Sequence, residues 1–203
     1  MAYAHPVPQR PQRPGPPSGR RRAVLAGCVL AAWVALLWLL EAVDALSGHA
    51  LDEHGITPRV AGELWDVVPA AFLHFGFDHV AANSVPLLVL GFLAALSGLR
   101  RFAAVVAVII LASGLGVWFF APAHSLTAGA SGVVFGLFGY LLVRGFVDRR
   151  AVDVLIGVLV LAAYGSLLWG ALPTAQGVSW QGHLFGLLGG VLAAVVFRRG
   201  RPT

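Results

Sequence analysis

Six long apolar stretches, with nearly all the charge confined to the joints between them, decide what this chain can fold into. They fall at 23–46, 74–97, 101–121, 131–147, 152–170 and 179–197. A helix crossing about 30 Å of hydrocarbon needs roughly 20 apolar residues, and only helices or closed barrels satisfy their backbone there without water. Charged residues make up 11% of the chain, against about 25% in soluble domains. The expectation is an all-α membrane protein, with one domain of six transmembrane helices over residues 23–198.

The arginines orient that bundle. Every basic residue is arginine, and 13 of the 14 fall in the leading tail, beside the second and fourth joints, or at the C-terminus. The alternate joints, 47–73, 122–130 and 171–178, hold only Arg59. Cytoplasmic loops carry the excess of positive charge, so both termini are expected in the cytoplasm. The net charge of +5 follows from the same clusters. No basic patch interleaves with aromatics, which argues against a nucleic-acid partner.

Residues 1–22, "MAYAHPVPQRPQRPGPPSGRRR", read as a disordered Pro/Arg-rich cytoplasmic tail, and 199–203 as a short basic one. The lone Cys28 excludes an internal disulfide. "LAGC" at 25–28 looks like a lipoprotein cleavage box, but only Ala23 and Val24 separate it from Arg22. The 18-residue apolar run from Ala23 to Leu40 matches a span better than a cleavable signal. Exclusive use of arginine points to a GC-rich coding sequence, and the expected location is a bacterial plasma membrane.

Polar residues inside spans are costly and therefore informative. Ser131 opens the fourth segment in "TAGASGVVFGLFGY", and His183 opens the sixth in "WQGHLFGLLGG". His74, His79 and Asn83 open the second in "HFGFDHVAANSVPL". These three segments all run from outside to inside, so the residues share one depth, in the outer third of the bilayer. Glu41 and Asp44 close the first segment near the outer surface, where solvation is expected. Loop 47–73 mixes charge with Leu64, Trp65 and Phe72 and should lie in the interface, with Trp65 as an anchor. His49, His54 and His124 should be solvated, and Tyr140, Trp118 and Trp169 should pack or sit at interfaces.

The glycines bring two of these segments together. Gly132 and Gly136 are four apart, as are Gly182, Gly186 and Gly190. Small residues at that spacing let helix backbones approach closely. Gly186 follows His183 by three, on nearly the same face. A serine hydroxyl is a weak nucleophile until a base removes its proton, and neutral imidazole suits that role. His79 and Asn83, four apart on one face, could donate to an oxyanion, with the Ser131 and Ala130 amides at the head of the helix. No intramembrane aspartate is placed to orient His183, so the reading is a dyad.

"GASG" at 129–132, "HLFGLLGG" at 183–190 and "HFGFDHVAAN" at 74–83 together resemble the rhomboid intramembrane serine proteases. The resemblance covers roughly residues 23–198. It implies Ser131 as nucleophile and His183 as general base, with His79, Asn83 and the turn at Gly129 and Ala130 stabilising substrate or oxyanion. It implies supporting roles for His74, Trp65, Gly186 and Gly190. Phe135 stands where a tyrosine often stacks on the catalytic histidine, and Asp66 where an arginine commonly follows the tryptophan. The resemblance implies cleavage of transmembrane protein substrates near their outer end, in the lipid bilayer, with no cofactor and no metal, from a site open to the extracytoplasmic side.

Other classes fit less well. Non-proteolytic relatives that bind or escort membrane helices generally lack the serine or the histidine, and both are present. A transporter would call for repeats or an acidic residue at mid-membrane depth. His74 and His79 are five apart and do not converge on one helical face, and no HExxH motif occurs, which argues against a metalloprotease. Loop 170–179, "GALPTAQGVS", carries Gly and Pro and is expected to be mobile beside the site.

Overall fold

The structure, a computed structural model, describes residues 19–173 and 177–198, and all regular elements there are helical. They are α1 (Gly19–Leu46), α2 (Phe77–Ala95), α3 (Leu99–Phe120), α4 (Ser131–Asp148), α5 (Ala151–Tyr164), α6 (Leu167–Gly170) and α7 (Trp180–Val196). Helices α1 to α4 are long and apolar enough to cross a membrane, while α5 and α7 are shorter apolar helices. The expected tails, apart from Gly19–Arg22, lie outside the described residues, as does the centre of the loop expected to be mobile (174–176).

Most boundaries move by one to three residues, and three differences from the expected segments matter. Helix α1 begins at Gly19, so Arg20, Arg21 and Arg22 form its first turn. Helix α2 begins at Phe77, which leaves His74 in the connection before it rather than on the helix. The fifth apolar stretch divides into α5 and α6. Gly165 and Ser166 between them keep right-handed helical angles. The Leu168 N–H donates to Gly165 O and the Trp169 N–H to Ser166 O, so the helix tightens without ending. Residues 151–170 are therefore one helical run.

Helix α4 is the hub. Every residue from Gly132 to Leu141 is buried. Lipid tails are as apolar as leucine, so helices in a membrane associate by close packing of small residues. A Cβ on Gly186 would strike the Gly132 carbonyl, and one on Gly190 the Gly136 carbonyl. Backbone thus meets backbone along the α4–α7 seam. Helix α3 closes on α7 where Phe185 covers Gly116, and α1 docks on α2 where Leu30 fills the space over Gly91.

The α1–α2 connection forms three short 3₁₀ turns, at Asp52–His54, Ala61–Val67 and Pro69–Ala71. It buries Val67, Ala70 and Leu73 against Val117 and Ala128, and exposes Leu64, Trp65 and Val68. A backbone pairing of Ile56 with Thr127 ties it to the turn before α4.

Two expectations about charge fail here. Glu41 and Asp44 are each 2% exposed, not solvated. Asp44 lies on the C-terminal turn of α1, where it accepts from the Leu51 N–H at 2.8 Å and pairs with His49 at 2.8 Å. The chain folds back over the helix end and shuts water out. At the opposite end of the bundle, Arg144 is buried within α4 rather than lying at a wet boundary, and it pairs with Asp153 at the start of α5. Arg101 of α3 pairs with Asp148 of α4 at 3.0 Å. Both guanidinium groups approach the ring of the buried Tyr140, at 5.9 and 5.8 Å.

Candidate active site

A cavity of about 780 Å³ opens among α2, α3, α4, α7 and the connection before α4. Ser131, His183, His79, Asn83, Gly129 and Phe135 all line it. Four polar side chains from three helices, separated by up to 104 positions in the chain, therefore face one space.

His183 is 8% exposed. Its ring stacks on Phe135, with centroids 3.9 Å apart and planes 9° apart. Its Nδ1 lies 2.8 Å from the carbonyl oxygen of Gly170. A carbonyl only accepts, so Nδ1 carries the proton and Nε2 carries the lone pair. That is the tautomer a base needs. Among the described residues, no carboxylate takes part in holding it.

The turn before Ser131 is built around two further histidines. Gly129 has φ +135°, a conformation that favours glycine, and a Cβ there would lie 2.8 Å from His79 Cε1. Its N–H donates to Ala70 O at 2.8 Å. The Ala130 N–H donates to His74 Nε2 at 3.2 Å. Of the two amides expected to face an oxyanion, that of Ala130 is thus committed elsewhere, and together with the Gly129 amide it fastens the turn. The Ser131 amide, first in α4, lies at the positive end of that helix.

His74 is 2% exposed and meets the edge of His79, with centroids 4.9 Å apart. The Phe75 N–H faces His79 Nδ1 at a long 3.5 Å, which leaves Nε2–H as the ring's donor, on the side next to Gly129. Asn83 gives one amide hydrogen to His79 O at 3.1 Å, and its second remains available to the cavity.

Gly186 and Gly190 hold α7 against α4 and do not line the cavity. Trp65 lies away from it, 58% exposed, with its ring 5.4 Å from that of His54. Asp66, where an arginine was the common choice, is buried with His54 Nδ1 at 3.5 Å. The sequence motifs do not single out Ser113 of α3. It lines the cavity and donates to Gly182 O at 2.8 Å. A serine within the small-residue run "ASGLG" of an apolar span was the available signal. Among the described residues, the one cluster with metal-ligand spacing is Asp44, His49 and Asp52. Asp44 there already caps the chain, and nothing further points to an ion.

Helices fit for a membrane, around a cavity that Ser131 and His183 both line, mark an integral membrane protein. The rhomboid domain model matches residues 61–200. An uncharacterized protein of Mycobacterium tuberculosis is 44% identical over 194 residues, covering 91% of this chain and 81% of that one. YdcA of Bacillus subtilis is 29% identical over 173 residues, 78% of this chain and 81% of that protein. Rhomboid protease GluP of Bacillus subtilis is 26% identical over 140 residues, 66% of this chain and 26% of that protein. The chain belongs to the rhomboid family, a family of intramembrane proteases.

Proposed function

We propose that this protein is a serine endopeptidase that cleaves transmembrane segments of membrane proteins near their outer end. The observation that carries the reading is the shared cavity of Ser131 and His183, with the histidine proton on Nδ1. In this reading Ser131 Oγ attacks the scissile carbonyl while His183 Nε2 takes the hydroxyl proton. The carbonyl oxygen becomes an oxyanion, which the His79 Nε2–H, the free Asn83 N–H and the Ser131 amide stabilise. His183 then returns the proton to the leaving amine, and water releases the acyl group by the same steps in reverse. No cofactor or metal enters this scheme.

Six crossings with both termini in the cytoplasm complete the reading, supported by the arginine distribution. Under that orientation the cavity opens to the extracytoplasmic side. Peptide bonds inside a helix are shielded, so favoured substrates carry residues that unwind locally at the cut.

A fluorophosphonate probe on the purified, detergent-solubilised protein tests the dyad. Wild type is expected to label, and Ser131→Ala and His183→Ala are expected to lose labelling while remaining folded. An unreactive folded wild type that also leaves a model transmembrane substrate intact would turn the reading toward a protein that binds or escorts membrane helices.

A further inference from the structure

A dyad leaves open what aims its histidine. Stacking on Phe135 fixes the plane of the His183 ring but not which edge faces which way, since a half-turn about Cβ–Cγ keeps that plane. The remaining constraint is the 2.8 Å bond from Nδ1–H to Gly170 O. Gly170 is the last residue of α6 and so ends the helical run from Ala151. The final carbonyls of a helix lack partners within it. Here the Ala171 N–H donates to Leu168 O and the Leu172 N–H to Trp169 O. The carbonyl of Gly170 goes to the imidazole instead.

Glycine at this position has a steric reason. A Cβ on Gly170 would lie 2.8 Å from Phe135 Cζ and 3.3 Å from His183 Nδ1. Both partners of the stack would have to move. A neutral carbonyl also suits the location. A carboxylate in the same place would bring a buried charge into a membrane-embedded site, and the C-terminal end of a helical run already favours a neighbouring cation.

We propose that Gly170 is the positioning residue of the site. Its carbonyl holds His183 with the proton on Nδ1 and Nε2 free in the cavity that Ser131 lines, the place an acid occupies in a triad. The kinetic part of this rests on the serine-protease reading; the tautomer part does not. The run that carries Gly170 seats on α4, where Gly145 packs against the backbone of Val154 and Arg144 pairs with Asp153. The orientation of the base is therefore tied to the seating of that run.

The test reads the tautomer directly. Nitrogen-15 NMR of histidine-labelled full-length protein, with His183 assigned by the difference from His183→Gln, should show Nδ1–H in wild type. Gly170→Ala should convert His183 to a mixture or to Nε2–H. The saturating rate of fluorophosphonate labelling should fall about tenfold, the worth of one hydrogen bond, at an unchanged half-saturating probe concentration. Where Gly170→Ala does not fold, lactic acid in place of Ala171 weakens the Gly170 carbonyl as an acceptor and adds no atom to the stack. The matching ester at Leu172, which also removes one helical hydrogen bond, should leave the tautomer as in wild type. Nε2–H in wild type, or an unchanged tautomer and rate in both the Gly170→Ala and Ala171 ester proteins, would overturn the proposal. An unreactive wild type whose Nδ1–H state is nonetheless lost in Gly170→Ala would uphold the positioning role and remove only the protease reading.

Discussion

The two ends of the bundle are held together by different physics. At the Ser131 end, polar groups in and beside the cavity meet neutral partners: His183 on a carbonyl, His74 on an amide, Ser113 on a carbonyl. At the Arg144 end, charges pair across helices: Arg144 with Asp153 and Arg101 with Asp148. Between them runs the glycine seam of α4 and α7. The difference separates tasks. Chemistry needs groups whose protons can move, while fixed ion pairs lock helix ends and give protons no route. The seam couples both ends, because one helix pair carries Ser131 and His183 at its head and Gly136 and Gly190 further along.

Breaking the seam should have the largest effect. Gly190→Val would drive a side chain into the Gly136 carbonyl and toward Tyr140 N. Backbone cannot yield as a flexible side chain does, so α7 would have to leave α4. The expected outcome is no monodisperse folded protein on size-exclusion chromatography. Folded Gly190→Val that retains probe labelling would show that the seam is looser than its geometry implies.

Breaking the charged end should cost less but remain severe. Removing one partner of a buried ion pair typically destabilises by about 3–5 kcal/mol, because the other charge is left unpaired. The side chains of Arg144 and Asp153 are 5% and 9% exposed. Asp153→Ala should show a loss of that order in a denaturation assay. Arg144→Met combined with Asp153→Leu should recover most of it, since a well-packed apolar pair often replaces a buried ion pair with little penalty. If the double variant is no better than the single one, Arg144 has a role beyond the pair, through Leu93 O or the Tyr140 ring.

The same contrast explains what could be read from the chain in advance. Depth and helix face follow from hydropathy and from three- or four-residue spacing, and these suffice to bring Ser131, His183, His79 and Asn83 to one level. The glycine spacing likewise announces the α4–α7 contact. Partners from distant chain segments leave no such trace. Arg144 looks like a boundary residue until α5 brings Asp153 against it. Glu41 and Asp44 look wet until the following connection folds over them. Nothing in "LLWGAL" announces that Gly170 meets the imidazole. The place of Gly129 and Ala130 beside Ser131 suggests that this turn serves the cavity. Their amides instead donate to Ala70 O and His74 Nε2, partners that sequence distance conceals.

The smallest expected effect lies where the Ser131 end meets water. His49 sits just past α1 with its side chain 61% exposed, 2.8 Å from Asp44 and 3.7 Å from Asp52. The hydrogen bond to Asp44, followed by the charge of that carboxylate, raises the His49 pKa above its ordinary value. The folded state therefore holds this proton more tightly than the unfolded chain does. The stabilisation is complete below the unfolded value of about 6.5 and is lost as pH rises through the higher folded value. A second group in the cluster titrates in a different range: burial raises the Asp52 carboxyl, so the folded state also favours its protonated form, and that contribution is lost as pH rises through the acidic range, before the His49 window. Melting temperature should thus fall modestly as pH is raised from 6 into the alkaline range, and His49→Gln should flatten that slope. High salt should weaken the wild-type slope too, because the imidazole is exposed to screening. The Arg144–Asp153 pair, closed to water, should show no such salt dependence. A salt-insensitive slope that survives His49→Gln would place the titrating group elsewhere and remove this distinction between the two ends.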